Sequence, residues 1–125
     1  MRHAADPRIR PDGQAILYIE TSWDRETDAV RSGLWLASVD GRKLPRPWTQ
    51  GDWRDWSPRW SPDGSRVAWL RSRGTDTRIH VRAAGTGLES ELDTGEAPLS
   101  LAWSPEADAI AYTALLEGAC NAFVP

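Results

Sequence analysis

The side chains able to do chemistry are few and far apart in this sequence. The only histidines are His3 and His80. Acyl transfer needs a histidine within hydrogen-bond reach of an activated serine and an orienting carboxylate. His3 lies in what reads as a loose terminus, and His80 lies in the strand-like run Ile79-His80-Val81-Arg82, where a structural role is the reading. No Gly-x-Ser-x-Gly occurs, so the strand-to-helix turn that exposes a hydrolase nucleophile is missing. Asp52, Asp55 and Asp63 form an acidic cluster in sequence, but without the Asp-x-Asp-x-Asp-Gly alternation that wraps a hard cation in oxygens. Cys120 is the only cysteine, which excludes an intramolecular disulfide or a multi-cysteine zinc site and leaves an incidental thiol in an irregular tail. Trp53 and Trp56 offer an aromatic ligand platform; the blander reading, which we favour, has one cap the gap between neighbouring sheets and the other pack on an arginine. Arg71, Arg73 and Arg78 bracket Gly74-Thr75-Asp76 and, with Asp76 among them, read as a solvated hairpin tip instead of an anion site. The expectation is a chain with no catalytic residue, no cofactor and no metal.

What must position these residues is a repeat. Pro58-Arg59-Trp60-Ser61-Pro62-Asp63-Gly64-Ser65-Arg66-Val67-Ala68-Trp69-Leu70 matches Pro7-Arg8-Ile9-Arg10-Pro11-Asp12-Gly13-Gln14-Ala15-Ile16-Leu17-Tyr18-Ile19 without a gap. A third copy, Leu101-Ala102-Trp103-Ser104-Pro105-Glu106-Ala107-Asp108-Ala109-Ile110-Ala111-Tyr112, follows. Each copy is an apolar approach, a Pro-acidic turn and an apolar run, which is two strands joined by a tight reversal: proline presets φ, Asp suits the next position, and glycine accepts the positive φ that closes the turn. Ala107 replaces that glycine in the third copy, so a left-handed conformation there costs on the order of 1 kcal/mol, or the turn takes another shape.

The runs after each turn are apolar at consecutive positions, so both faces of those strands must be covered. Ile16, Val67 and Ile110 correspond on one face, with Tyr18, Trp69 and Tyr112; Leu17, Ala68 and Ala111 point to the other. A third strand is expected at Leu34–Gly41 and Ile79–Gly85, and short polar fourth strands at Pro47-Trp48-Thr49 and Glu91-Leu92-Asp93. Four strands per repeat is the pattern of propeller blades. The fold class expected is all-β: a partial β-propeller of about two and a half four-stranded antiparallel blades. The divisions are 1–5 a flexible N-terminus, 6–50 blade 1, 51–95 blade 2, 96–115 the first hairpin of blade 3, and 116–125 an irregular tail. Helix is disfavoured throughout, with at most one turn at Glu26–Arg31.

Composition sets further bounds. A net charge of −3, with 15 basic residues dispersed among 18 acidic ones, leaves no excess positive field and argues against nucleic acid as a partner. No apolar run approaches a membrane span, and Met1-Arg2-His3-Ala4-Ala5-Asp6-Pro7 lacks the apolar core of a signal peptide, which predicts a cytoplasmic protein without membrane partners. Eight tryptophans in 125 residues demand a structural reason, because each needs apolar contact and a partner for its N–H.

Trp60-Ser61-Pro62-Asp63-Gly64-Ser65-Arg66-Val67-Ala68-Trp69 resembles the repeat of TolB-like and prolyl-oligopeptidase-like propellers. Asp6-Pro7-Arg8-Ile9, Ser22-Trp23-Asp24-Arg25-Glu26 and Arg31-Ser32-Gly33-Leu34-Trp35-Leu36 are similar to the first blade of acylaminoacyl-peptidase-like members of that serine peptidase family. The resemblance implies a propeller that restricts peptide access to a separate α/β-hydrolase domain carrying the catalytic triad. The partners implied are the remaining blades, that hydrolase domain and peptides. No catalytic residue can be carried over to this chain, which should be inactive alone. Leu116–Pro125 departs from the pattern and points to truncation or a frameshift. A TolB-like propeller acting as a protein-binding scaffold is the competing reading.

Overall fold

The computed structural model describes residues 2–116 and 119–121, and among these there is strand and turn but no helix. Three antiparallel meanders follow one another. The first comprises β1 (Arg2–Ile9), β2 (Ala15–Asp24), β3 (Ala29–Ser38) and the two-residue β4 (Arg46–Pro47). The second comprises β5 (Arg54–Trp60), β6 (Arg66–Arg73), β7 (Asp76–Ala83) and β8 (Glu89–Leu92), and the third β9 (Pro98–Trp103), β10 (Ile110–Leu116) and β11 (Ala119–Asn121). One parallel bridge, Ser32 with Arg54, links the first two into an eight-stranded sheet; the third meander is a separate three-stranded sheet. The array is an unclosed, partial propeller.

The central hairpins are regular. Ala15 to Glu20 pair with Ser38 to Gly33, and Arg66 to Arg71 with Ala83 to Arg78. The three Pro-acidic turns close alike: Arg10 N–H donates to the Ala15 carbonyl at 2.8 Å, Ser61 to Arg66 at 2.8 Å, and Ser104 to Ala109 at 2.9 Å. Gly13 and Gly64 have φ of 75° and 76°, and Ala107 keeps the same conformation at φ 61°. The turn geometry therefore prevails over the alanine's steric preference. A second shared feature is a bulge in the first strand of each full blade, with Asp6 at φ 51° and Ser57 at φ 56°, each followed by a proline that could not donate to a ladder.

Three expectations are corrected. Residues 2–5, expected to be a flexible lead-in, belong to β1, where Arg2 to Ala5 pair with Ser22 to Ile19. Glu26–Arg31 forms no helical turn: residues 25–28 make the β2–β3 reversal and Ala29 starts β3. The tail expected to be irregular contains β11, with Cys120 opposite Leu115 in the ladder; residues 117–118 and 122–125 lie outside the described residues.

Two apolar layers sit between the three meanders. Val67 and Trp69, both fully buried on one face of β6, pack with Leu17 and Leu34 of the first blade. Ala68 and Leu70 on the opposite face, also fully buried, pack with Leu101, Ile110, Tyr112 and Ala114 of the third. This explains the uninterrupted apolar run of β6: it is the strand covered on both sides.

Candidate functional site

The tryptophan that opens each later repeat is a joint between blades. The Trp60 indole N–H donates to the Arg8 carbonyl at 2.9 Å, and Trp103 makes the equivalent bond to the Arg59 carbonyl at 2.9 Å. Each ring also receives a guanidinium over its face, Arg10 at 5.8 Å from the Trp60 centroid and Arg66 at 4.8 Å from Trp103.

The densest polar cluster lies on the face of the second blade that meets the first. The carboxylate of Asp55, with no solvent exposure, accepts from Arg71 Nε at 2.8 Å and Nη2 at 3.1 Å, a bidentate pair, and from Trp53 Nε1 at 3.1 Å. The same guanidinium reaches Glu89 at 3.3 Å and lies 4.0 Å from the Trp53 ring centroid, with Arg73 4.8 Å from that ring. His80, opposite Trp69 in the ladder and stacked on it at 5.7 Å, places Nδ1 3.2 Å from Glu89 and Nε2 3.6 Å from Glu91. Burial, helped by Arg71, pushes its pKa below the ordinary value, although both glutamates act the other way. Arg78 binds Asp76 at 3.0 Å and Glu91 at 2.8 Å, which raises its pKa.

These positions decide what the cluster can do. The His80 ring nitrogens face carboxylates and its ring an indole, an arrangement that holds the imidazole in place without presenting it to a nucleophile. His80 occupies the ladder position that Trp35 holds opposite Tyr18 in the first blade, as a structural strand residue would. His3 is exposed on β1 opposite Thr21.

The acidic cluster of the sequence is dispersed: Asp55 is locked to Arg71, while Asp52 is exposed and pairs with Arg31 at 3.0 Å. Asp63 accepts from the Ser61 and Ser65 hydroxyls at 2.7 and 2.8 Å, which hold its pKa at about 2. Among the described residues no group of three or more His, Cys, Asp or Glu is arranged to hold a metal ion. Trp53 packs on arginine, and Trp56 joins the layer between second and third blades, which is the blander of the two expected roles.

Arg71 corrects the sequence reading. It is not part of a solvated tip: its side chain is 5% exposed and is ion-paired with Asp55 on the neighbouring strand β5. Sequence reasoning missed it because Arg71 and Asp55 sit sixteen residues apart and nothing local marks them as partners. The available signal was register, since extending the hairpin from the Pro62-Asp63-Gly64 turn, with allowance for the bulge at Ser57, brings residues 55 and 71 opposite each other.

No protein-family profile matches the chain. Over 116 residues, 89% of its length, it is 30% identical to an uncharacterized peptidase, YuxL, of Bacillus subtilis, of which it spans 17%. Over 83 residues it is 32% identical to the Tol-Pal system protein TolB of Coxiella burnetii, 66% of this chain and 18% of that one. Among solved structures, the acylaminoacyl peptidase of Pyrococcus horikoshii superposes with a TM-score of 0.76 at 18% identity, covering 91% of this chain and 18% of that protein. The chain thus spans about a sixth of the length of the curated relatives it matches. It is a stretch of β-propeller related to the propellers of peptidases and of TolB.

Proposed function

We propose that the chain is the noncatalytic propeller portion of a prolyl-oligopeptidase-type serine peptidase, acting in the cytoplasm, whose blades form part of the wall through which peptides reach an α/β-hydrolase domain. The observation that carries this reading is the identity to a peptidase over nearly the whole chain, supported by the first-blade motifs. In such a role the blades contribute by excluding large substrates and do no bond chemistry. The second reading, a TolB-like scaffold that works by protein contact, is favoured by the match to TolB over 83 residues.

Two measurements test the proposal. Genomic DNA around the coding region should encode further Trp-Ser-Pro-Asp-Gly copies and then Gly-x-Ser-x-Gly in a hydrolase-like segment. A secretion leader with no hydrolase would support the scaffold instead. The purified chain should not turn over acyl-amino-acid or dipeptide chromogenic substrates, and a fluorophosphonate should not label it; turnover with stoichiometric labelling of one of its serines would overturn the noncatalytic role.

A further inference from the structure

At the end of the first blade where β1 turns into β2 and β3 into β4, Arg10, Arg42, Lys43 and Arg46 line a hollow of about 370 Å³ together with Leu36, with Asp40 the one acidic residue of its lining. From this hollow we infer a binding site for an acidic peptide segment, one that alternates carboxylate and apolar side chains.

Three observations carry the inference. First, the positive charge is partly unspent. Asp12 takes Arg10 at 2.8 Å and Asp40 takes Arg42 at 3.6 Å, but the side chains of Lys43 and Arg46 make no ion pair with a described residue. Second, the loop that carries these charges is held: the Ser38 hydroxyl accepts the Lys43 N–H at 3.0 Å, and Asp40 accepts the Arg42 N–H at 2.9 Å. The loop backbone is therefore set before a ligand arrives, which lowers that part of the ordering cost of binding.

Third, the fold does not require the charges. The second blade builds the same corner with Ser61 where the first has Arg10, and with Ser90, opposite Val81, where the first has Arg46 opposite Leu36. Its connecting loop is Ala84-Gly85-Thr86-Gly87-Leu88, without a cation. A chain with net charge −3 has nonetheless gathered four cations at this one corner.

The ligand class follows from the layout. Cations from two turns and β4 share the lining with Leu36, Ala37 and Ala15. A compact phosphate would call for donors converging on one point, whereas this arrangement suits carboxylates spaced along a chain, with an apolar side chain seated between them. The site goes beyond the peptidase proposal and holds for either lineage.

The test is fluorescence anisotropy of the full chain with a fluorescein-labelled Glu-Leu-Glu-Leu-Glu-Leu peptide, at low and high salt. Binding should weaken with salt. It should weaken by about tenfold or more in the Lys43→Glu/Arg46→Glu double variant, because two attractions become repulsions. Arg25→Glu, an exposed change in the β2–β3 turn, should leave it as it was. Equal binding of the Lys-Leu or Gln-Leu peptide would overturn the inference, as would an unaffected double variant. Displacement of the peptide by an equal concentration of inorganic phosphate would overturn the peptide assignment.

Discussion

Removing one member of the Asp55–Arg71 pair should cost far more than removing both. Asp55 is fully buried and its carboxylate accepts three hydrogen bonds, two from Arg71 and one from Trp53. In Arg71→Met the carboxylate keeps only the indole bond; in Asp55→Ala a guanidinium with a 5% exposed side chain keeps only Glu89 at 3.3 Å and the Trp53 face. An uncompensated buried charge of this kind costs about 3–5 kcal/mol, against a total stability of about 5–15 kcal/mol for an ordinary domain. An open array leaves apolar faces uncovered and sits at the low end of that range. Each single variant should therefore lose its cooperative urea transition, followed by tryptophan fluorescence. The Asp55→Ala/Arg71→Met double variant removes both desolvated charges, and it should recover a transition within about 1–2 kcal/mol of the parent. Single variants unfolding at the parent's urea concentration would refute the reasoning, because the pair would then be a spectator at a solvated seam.

Two further outcomes are expected. His80 is held below its ordinary value of 6.5, so the unfolded chain takes up the proton first, and stability should fall as pH drops below 6.5. Asp63, lowered to about 2, adds a second loss as pH falls from 3.8 toward 2. Urea midpoints across pH should show both, and His80→Gln should remove only the first; an unchanged profile in that variant would contradict the assignment. Ala107→Gly should stabilise by roughly 0.5–1 kcal/mol, since φ at 61° is strained for alanine and free for glycine; a lower urea midpoint would refute the strain.

The hairpins were legible because one local rule specifies them. Pro-Asp-Gly at residues 11–13 and 62–64 fixes a reversal, and a reversal fixes which residues oppose each other for the next several positions, so Ile9 opposite Ile16 and Trp60 opposite Val67 follow directly. Ala107 was the ambiguous case, and it resolved toward the repeat because the neighbouring Ile110 and Tyr112 are anchored against Ala68 and Leu70, which leaves the turn no other shape. The ends were not legible for a related reason. Arg2–Ala5 pair by extending the β1–β2 ladder past the repeat and Ala119–Asn121 by adding a strand to the other edge of β10, and the partners, Ser22 to Ile19 and Ala114 to Leu116, carry no mark of it in their own sequence.

The polar clusters show where linear reading stops. Fourteen arginines spread among acidic residues look like a neutralised surface. In the fold one of them, Arg71, is buried because β6 runs between the first and third meanders and Arg71, its last buried position, still falls inside the seam. Others, Arg10, Arg42 and Arg46, converge with Lys43 because two successive turns of one blade emerge at the same end. Both placements come from strand order, which pairs residues sixteen positions apart, as with Arg71 and Asp55, and brings residues thirty-six positions apart to the lining of one hollow, as with Arg46 and Arg10. A propeller repeats its backbone but not its rim, so the conserved geometry of the turns is what makes a departure in their charge informative. Where the second blade manages the same corner with Ser61 and Ser90, Lys43 and Arg46 of the first blade make no ion pair with a described residue, and a binding role is the explanation that the peptide titration can reject.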